Sequence, residues 1–323
     1  MTWNDILKKY PEANFSQSPA WAKTNELTGH KVITEFFEAG GYALMIVRNA
    51  KRGRYLEIPC GPLLDWQNRA DVDAAFARIR QIAQTEKCVF VRFRPQLPKT
   101  THNLDLMVKL GARLAPMHLA AEHTVMLNLT APEETLLANM RRQTRYEVRR
   151  AEKQGIAVAK SNSEAAFREF HDVQLATARR QNFIPPDLKT LLAERTAFGD
   201  NAVIYKATVN SEPIAYGLIL TDGVEAAYYE AASTELNRKL PGAYALIWQA
   251  TRDLKQQGIE RFNLWGIAPP NQPNHRYAGV TTFKTGFGGE VIEYLPAHDI
   301  VVNKPKYLKN LIVETIRKKR RHL

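Results

Sequence analysis

DLKQQGIERFNLWGI, residues 253–267, decides the fold, because QIAQTEKCVFVRFRP, residues 81–95, repeats its pattern without a gap. Both stretches finish a helical run and enter an apolar, strand-like one, with Phe90 opposite Phe262 and Phe93 opposite Trp265. Upstream of the second copy, Ala243–Gln257 has helical periodicity and stops at Gly258. Upstream of the first, Ala70–Thr85 places Val72, Phe76, Ile79 and Ile82 on one apolar stripe. Strand-like runs precede each helix: Tyr42–Val47 in the first copy, and Ala202–Val209, Ile214–Thr221 and Val224–Ala231 in the second. Asp222-Gly223 between the last two is a hairpin signal. Two copies of one α/β unit follow, with mixed, largely antiparallel sheets (an α/β, or α+β, class).

The chain has 323 residues, about two domains' worth, and a net charge of +12. Its composition is ordinary for a globular protein, which excludes disorder and fibres. Cys60 and Cys88 are the only cysteines, so no disulfide framework is expected and a reducing, cytoplasmic compartment fits. Residues 1–10 lack the apolar core of a signal peptide, and no run of about 18 apolar residues exists to span a bilayer. The charge favours an anionic partner without choosing among RNA, a phosphorylated metabolite and an acidic membrane.

Metal, protease and nucleotide motifs (HExxH, GxSxG, GxGxxG, GxxxxGK[ST]) are absent, and the histidines are scattered, so neither metal nor cofactor is expected. Three stretches remain. Pro132–Gln154 reads as one helix, on which Arg142, Arg145 and Arg149 share a face able to neutralise phosphates; a solvated face with i,i+4 pairs is the plainer reading. TTFKTGFGGE, residues 281–290, reads as a glycine-lysine loop that holds Lys284 between two phenylalanines near developing negative charge, or as a strand with a bulge and a snorkelling lysine. RKLPGA, residues 238–243, has the shape of a pyrophosphate-binding turn of acetyl-CoA-dependent GNAT enzymes, but Pro241 removes an amide donor that such a turn supplies. The tail, Pro305–Leu323, reads as an amphipathic helix ending in a basic run.

The chain resembles the Fem family (FemABX) of peptidyl transferases, which build peptidoglycan cross-bridges from aminoacyl-tRNA. FSQSPAW (residues 15–21), IPCGPLLD (58–65), residues 124–129 with the Arg-rich helix, and above all GAYALIWQATRDLKQQGIERFNLWGI (242–267) followed by FKTGFGG (283–289) carry the resemblance. It implies two tandem GNAT-like domains, 1–115 with 298–323 and 116–297. It implies an aminoacyl-tRNA donor and a stem-peptide acceptor, UDP-MurNAc-pentapeptide or lipid II. No coiled-coil arm is inserted, which places the chain nearer the short FemX-like members and a monomer.

Residue by residue, the resemblance assigns Lys284 to oxyanion or tRNA-end stabilisation, with Phe283 lining the same channel. It assigns Thr177 and Arg179 to nucleotide phosphates, with Phe183 standing where a Tyr is common. Tyr228 or Tyr229 contacts the acceptor, Asp65 lies near the incoming amine, and Lys23 or Lys31 meets acceptor phosphate. Cys60 departs from the Arg or Tyr usual before Gly61-Pro62. Competing readings are an acyl-CoA N-acyltransferase on the same fold and a non-catalytic RNA- or membrane-surface-binding protein, the latter resting on the Arg helix and the basic tail.

Overall fold

The computed structural model describes residues 2–38, 40–51 and 53–321, excepting the side chains of 319–321. Its strands are β1 (Lys31–Phe36), β2 (Tyr42–Ala50), β3 (Gly53–Ile58), β4 (Cys88–Phe93), β5 (Arg113–Leu114), β6 (His123–Asn128), β7 (Ala157–Ser161), β8 (Ala202–Val209), β9 (Glu212–Asp222), β10 (Glu225–Ser233), β11 (Arg261–Gly266), β12 (Glu290–Glu293) and β13 (His298–Val301). Two compact units contain them. One comprises residues 2–122 with 293–321, and the other comprises 123–292.

The first unit holds a sheet of order β1-β2-β3-β4-β13-β5. The antiparallel meander β1-β2-β3 runs into helix Arg69–Thr85, which returns the chain to lay β4 parallel to β3. A parallel neighbour needs such a crossover. The helix buries Val72, Phe76, Ile79 and Ile82, the stripe read from the sequence. Each large apolar side chain so buried is worth roughly 1.5–3 kcal/mol. All six residues of β4 are buried, as expected of a strand covered on both faces.

The second unit repeats the plan in the order β12-β6-β11-β10-β9-β8-β7. The meander β8-β9-β10 turns at Asp222 and Glu225, with Gly223 at φ +56°, and helix Gly242–Gln256 returns the chain so that β11 lies parallel to β10. On its other side β11 meets β6 antiparallel, as β4 meets β13. The repeat seen in the sequence is therefore a repeat of meander, crossover helix and parallel strand.

Three expectations are corrected. The helix anticipated over Pro132–Gln154 is two helices, Glu133–Asn139 and Arg142–Lys153, separated by extended backbone at Met140 and Arg141. The break is a tertiary effect: Arg141 N–H donates to Gly286 O at 2.8 Å, a bond unavailable to a continuous helix. The unit boundaries lie at 122/123 and 292/293 rather than at 115/116 and 297/298. Backbone bonds from Ala115 N to Ala297 O and from Tyr294 N to Glu122 O keep these segments together in the first unit. The stretch holding Lys284 is neither loop nor strand, since Ala278–Thr285 is a helix. The tail helix spans Lys304–Arg321; the last two residues of the helix anticipated there, 322–323, lie outside the described residues, as do the side chains of Lys319, Arg320 and Arg321.

Candidate functional site

A cavity of about 770 Å³ opens in the second unit. Its walls are the C-terminal half of β10, the end of helix Glu164–Gln181 with the segment after it, and helix Ala278–Thr285. A bulge shapes the first wall. Tyr228 pairs with Ile219 and Glu230 with the adjacent Leu218, so Tyr229 is the extra residue. A bulge of this kind re-aims side chains, and here Tyr228, Tyr229 and Glu230 all line the cavity. Strand alternation would have sent Tyr229 to the opposite face.

Lys284 stands in the last turn of its helix and is 8% exposed. Its Nζ donates to Gly266 O at 2.9 Å and lies 5.8 Å from the centre of the Tyr228 ring. No carboxylate partner is among its contacts, and burial draws its pKa down to about 7. Burial thus makes the cation costly to hold near neutrality, and the protonated amine has hydrogens to spare for a developing anion. A second tie, Ala268 N to Thr281 Oγ1 at 2.8 Å, fastens the same helix to the segment after β11. WGI and FKTGFGG are therefore neighbours in space.

The glycines of that motif serve packing. A Cβ on Gly286 would stand 2.3 Å from Thr144 Oγ1, and one on Gly288, at φ +82°, would stand 2.2 Å from Asn139 O. Both contacts fall at the break between the two helices, so the break and the glycines set the position of Lys284 together. Phe283 lines the cavity and packs against Tyr244 and Phe287.

The CoA turn fares poorly. The Ala243 amide, at the start of helix Gly242–Gln256, donates to Asn237 Oδ1 at 3.0 Å and is unavailable to a pyrophosphate. A Cβ on Gly242 would meet Ile214 Cγ2 at 2.4 Å, so this glycine answers to packing.

A family model described as the FemAB family matches residues 2–213 and 210–314. The chain belongs to the FemAB family. It is 33% identical over 98 residues to the aminoacyltransferase FemA of Staphylococcus epidermidis, and 32% identical over 98 residues to FemA of Staphylococcus aureus. Those matches cover 30% of this chain but only 24% and 23% of the respective FemA sequences, about a quarter of their length. A solved structure of FemX superposes with a TM-score of 0.84 at 16% identity, covering 97% of this chain and 98% of FemX. L-PGS from Bacillus licheniformis superposes at 0.61 with 14% identity, over 96% of this chain and 94% of that one. A tandem GNAT protein from the clavulanic acid pathway superposes at 0.52 with 13% identity, over 81% and 79%. The fold is accordingly that of FemX and of tandem GNAT-like proteins.

Against this FemAB-family frame, the cavity gathers Lys284, Phe283, Thr177, Phe183, Tyr228 and Tyr229. The Thr177 hydroxyl is already engaged: it donates to Val173 O or Ser233 O and accepts from Ser233 N, tying the helix to the end of β10. Arg179 is exposed and outside the cavity lining. Lys23 and Asp65 belong to the first unit, where both are exposed. Asp65 Oδ1 accepts from Gln67 N at 3.0 Å, and Lys31 is ion-paired with Glu86, which leaves Lys23 the unpaired member of that alternative. Of the arginine strip, Arg142 and Arg149 are exposed, whereas Arg145 donates to the carbonyls of Ala138 and Met140 and so caps the preceding helix.

Sequence reasoning missed Gln174, Glu194 and Glu230. Glu230 lines the cavity and accepts from Gln174 Nε2, and burial pushes it up to about 7. Glu194, 1% exposed, lies on helix Leu188–Phe198 and is raised well above the carboxylate range by burial and by Glu230. A lone Glu after two tyrosines carries no sequence signal; only the bulge turns it inward. Among the described residues no group of three or more His, Cys, Asp or Glu is arranged to hold a metal, and no helix is long and apolar enough to cross a membrane.

Proposed function

We propose that this protein is a tRNA-dependent aminoacyltransferase that adds an amino acid to the stem peptide of a peptidoglycan precursor, UDP-MurNAc-pentapeptide or lipid II, for interpeptide bridge formation. The observation that carries this reading is Lys284, a buried amine without a carboxylate partner, facing a cavity large enough for an aminoacylated nucleotide end. Family membership and the FemX-like fold support it.

The reaction is aminolysis of an ester. The acceptor amine attacks the aminoacyl carbonyl, the C–N bond forms, and the ester C–O bond breaks. The amine's surplus proton leaves with the ribose oxygen as a hydroxyl. Orientation of ester and amine supplies roughly 7–11 kcal/mol of such a barrier. Lys284 supplies the charge that the tetrahedral oxyanion needs, a donor whose loss typically costs about 10²–10³ in rate. Phe183, Tyr228, Tyr229 and Phe283 offer aromatic faces on which a tRNA 3′ base can stack. Arg142 and Arg149 meet the RNA backbone, and Lys23 and Asp65 serve the acceptor. The satisfied amide at Ala243 and the proline at 241 weigh against an acyl-CoA donor.

The test is incubation with a mixed pool of charged tRNAs and UDP-MurNAc-pentapeptide or lipid II, read by product mass. A stem peptide heavier by one aminoacyl residue, lost on RNase treatment, is expected. RNase-resistant acylation from acyl-CoA would overturn the reading.

Work at the cytoplasmic membrane face is the second part of this proposal. On helix Lys304–Arg321, Leu308, Ile312 and Ile316 form an exposed row at four-residue spacing, 58%, 53% and 46% accessible. The opposite side holds buried Tyr307 and Asn310 and the Glu314–Arg92 ion pair. Lys304 and Lys309 flank the exposed row. Basic charge beside an unburied apolar stripe suits an anionic bilayer surface, where each cation is worth about 1 kcal/mol. Sedimentation with phosphatidylglycerol vesicles, but not with phosphatidylcholine, is expected, and Ile312→Glu is expected to abolish it. Equal sedimentation with both lipids would refute the contact.

A further inference from the structure

The cavity has a second pole besides Lys284, and its chemistry is the opposite. Glu230 and Gln174 line the wall, and Glu194 is fully buried behind them. Gln174 is 1% exposed; its Nε2 is spent on Glu230, and its Oε1 has no hydrogen-bond partner. Glu194 Oε2 likewise has none. Neither carboxyl is ion-paired with a lysine or arginine among the described residues. A buried acceptor left without a donor costs about 1–3 kcal/mol, and Gln174, whose Oε1 is such an acceptor, lines an open cavity. The other charged side chains that line it, Lys284 and Arg276, are held by Gly266 O and Asn182 O.

An ammonium group complements this pole. It brings three donors and no acceptor, and its charge offsets the carboxylate. An anion would be repelled, and a hydroxyl could satisfy one acceptor at most as a donor. Resting on the transferase reading above, we propose that Glu230, with Gln174 beside it and Glu194 behind it, is a subsite that binds the free ammonium of a reacting partner in the same cavity as Lys284. Two reactants carry such a group: the aminoacyl ester at its α-carbon and the acceptor stem peptide at its side chain. A carboxylate at one pole and an ammonium at the other would hold an amino ester by its nitrogen and leave its carbonyl to Lys284.

The first experiment does not depend on transfer. n-Butylammonium and n-butanol are titrated against the protein, followed through the side-chain amide resonances of Gln174, which are assigned with Gln174→Leu. Butylammonium is expected to shift them at concentrations roughly tenfold lower than butanol, and Glu230→Gln is expected to erase the difference. Equal responses in the wild type, or a preference that survives in Glu230→Gln, would overturn the proposal even if the protein proves an active transferase. The second experiment separates the sources. Binding of a non-hydrolysable 3′-alanylamino-adenosine is compared with that of its α-hydroxy analogue, and UDP-MurNAc-pentapeptide with its side-chain N-acetylated form. The pair whose discrimination, about tenfold or more, disappears in Glu230→Gln names the occupant; discrimination retained in both pairs contradicts the subsite.

Discussion

Two clusters of buried charge, one in each unit, are handled in opposite ways. In the first unit Arg92 makes a two-pronged pair with Asp299, at 2.7 and 2.8 Å, and reaches Glu314 at 2.8 Å, while Tyr307 donates to Asp299 at 3.0 Å. Each charge of this cluster has a partner, and together they pin the tail helix to β4 and β13; Arg94, buried nearby, meets only Cys60 Sγ and the Tyr294 ring and stands outside it. In the second unit Lys284 has one carbonyl, Glu230 has one amide, and Glu194 Oε2 has nothing. Removing a partner from a satisfied cluster leaves an uncompensated charge, whereas removing an uncompensated charge relieves one. Closed clusters are structural; open ones beside a cavity mark chemistry.

The largest effect expected from that contrast is in the closed cluster. Asp299→Ala should lose about 3–5 kcal/mol of stability in urea denaturation, because Arg92 is left buried with only Glu314. A loss below about 1 kcal/mol would break the contrast. Lys284→Met should do the reverse, and with a definite pH sign. The folded-state pKa near 7 lies below the ordinary 10.5, so between those values the unfolded chain binds more protons and wild-type stability rises with pH. The methionine variant lacks that rise. Its advantage should be greatest at pH 6 and should shrink by about 4 kcal/mol by pH 10, at 1.36 kcal/mol per unit. A pH-independent difference would mean that Lys284 is paired. Arg145→Ala should cost about 1 kcal/mol, read as a lower denaturation midpoint, by uncapping helix Glu133–Asn139. Arg149→Ala should stay within about 0.5 kcal/mol of wild type but lower the salt dependence of tRNA binding by about one counterion. Should Arg145 and Arg149 exchange these behaviours, the strip read from the sequence would be the better description.

Much of the architecture was legible because it rests on local pattern. The stripe of Val72, Phe76, Ile79 and Ile82, the hairpin at Asp222-Gly223, and the paired helix-to-strand stretches appear as read. Lys284 was legible through its motif, although its helix was not, since a short TTFKT segment before glycines lacks a helical stripe. The break at Met140–Arg141 was invisible because its cause, Gly286, lies far away in sequence. Arg145 illustrates the same limit: periodicity places it with Arg142 and Arg149, but carbonyls exposed by that break take up its guanidinium. The tyrosine alternative was open because strand alternation admits one residue; the bulge admits both, and Glu230 with them.

Single-turnover transfer from charged tRNA to UDP-MurNAc-pentapeptide or lipid II, measured for the wild type and Lys284→Met at equal tRNA occupancy, tests the central claim most directly. A rate lower by about 10²–10³ in the variant, with tRNA binding and folding intact, is the predicted result. Transfer within about threefold of wild type would contradict it.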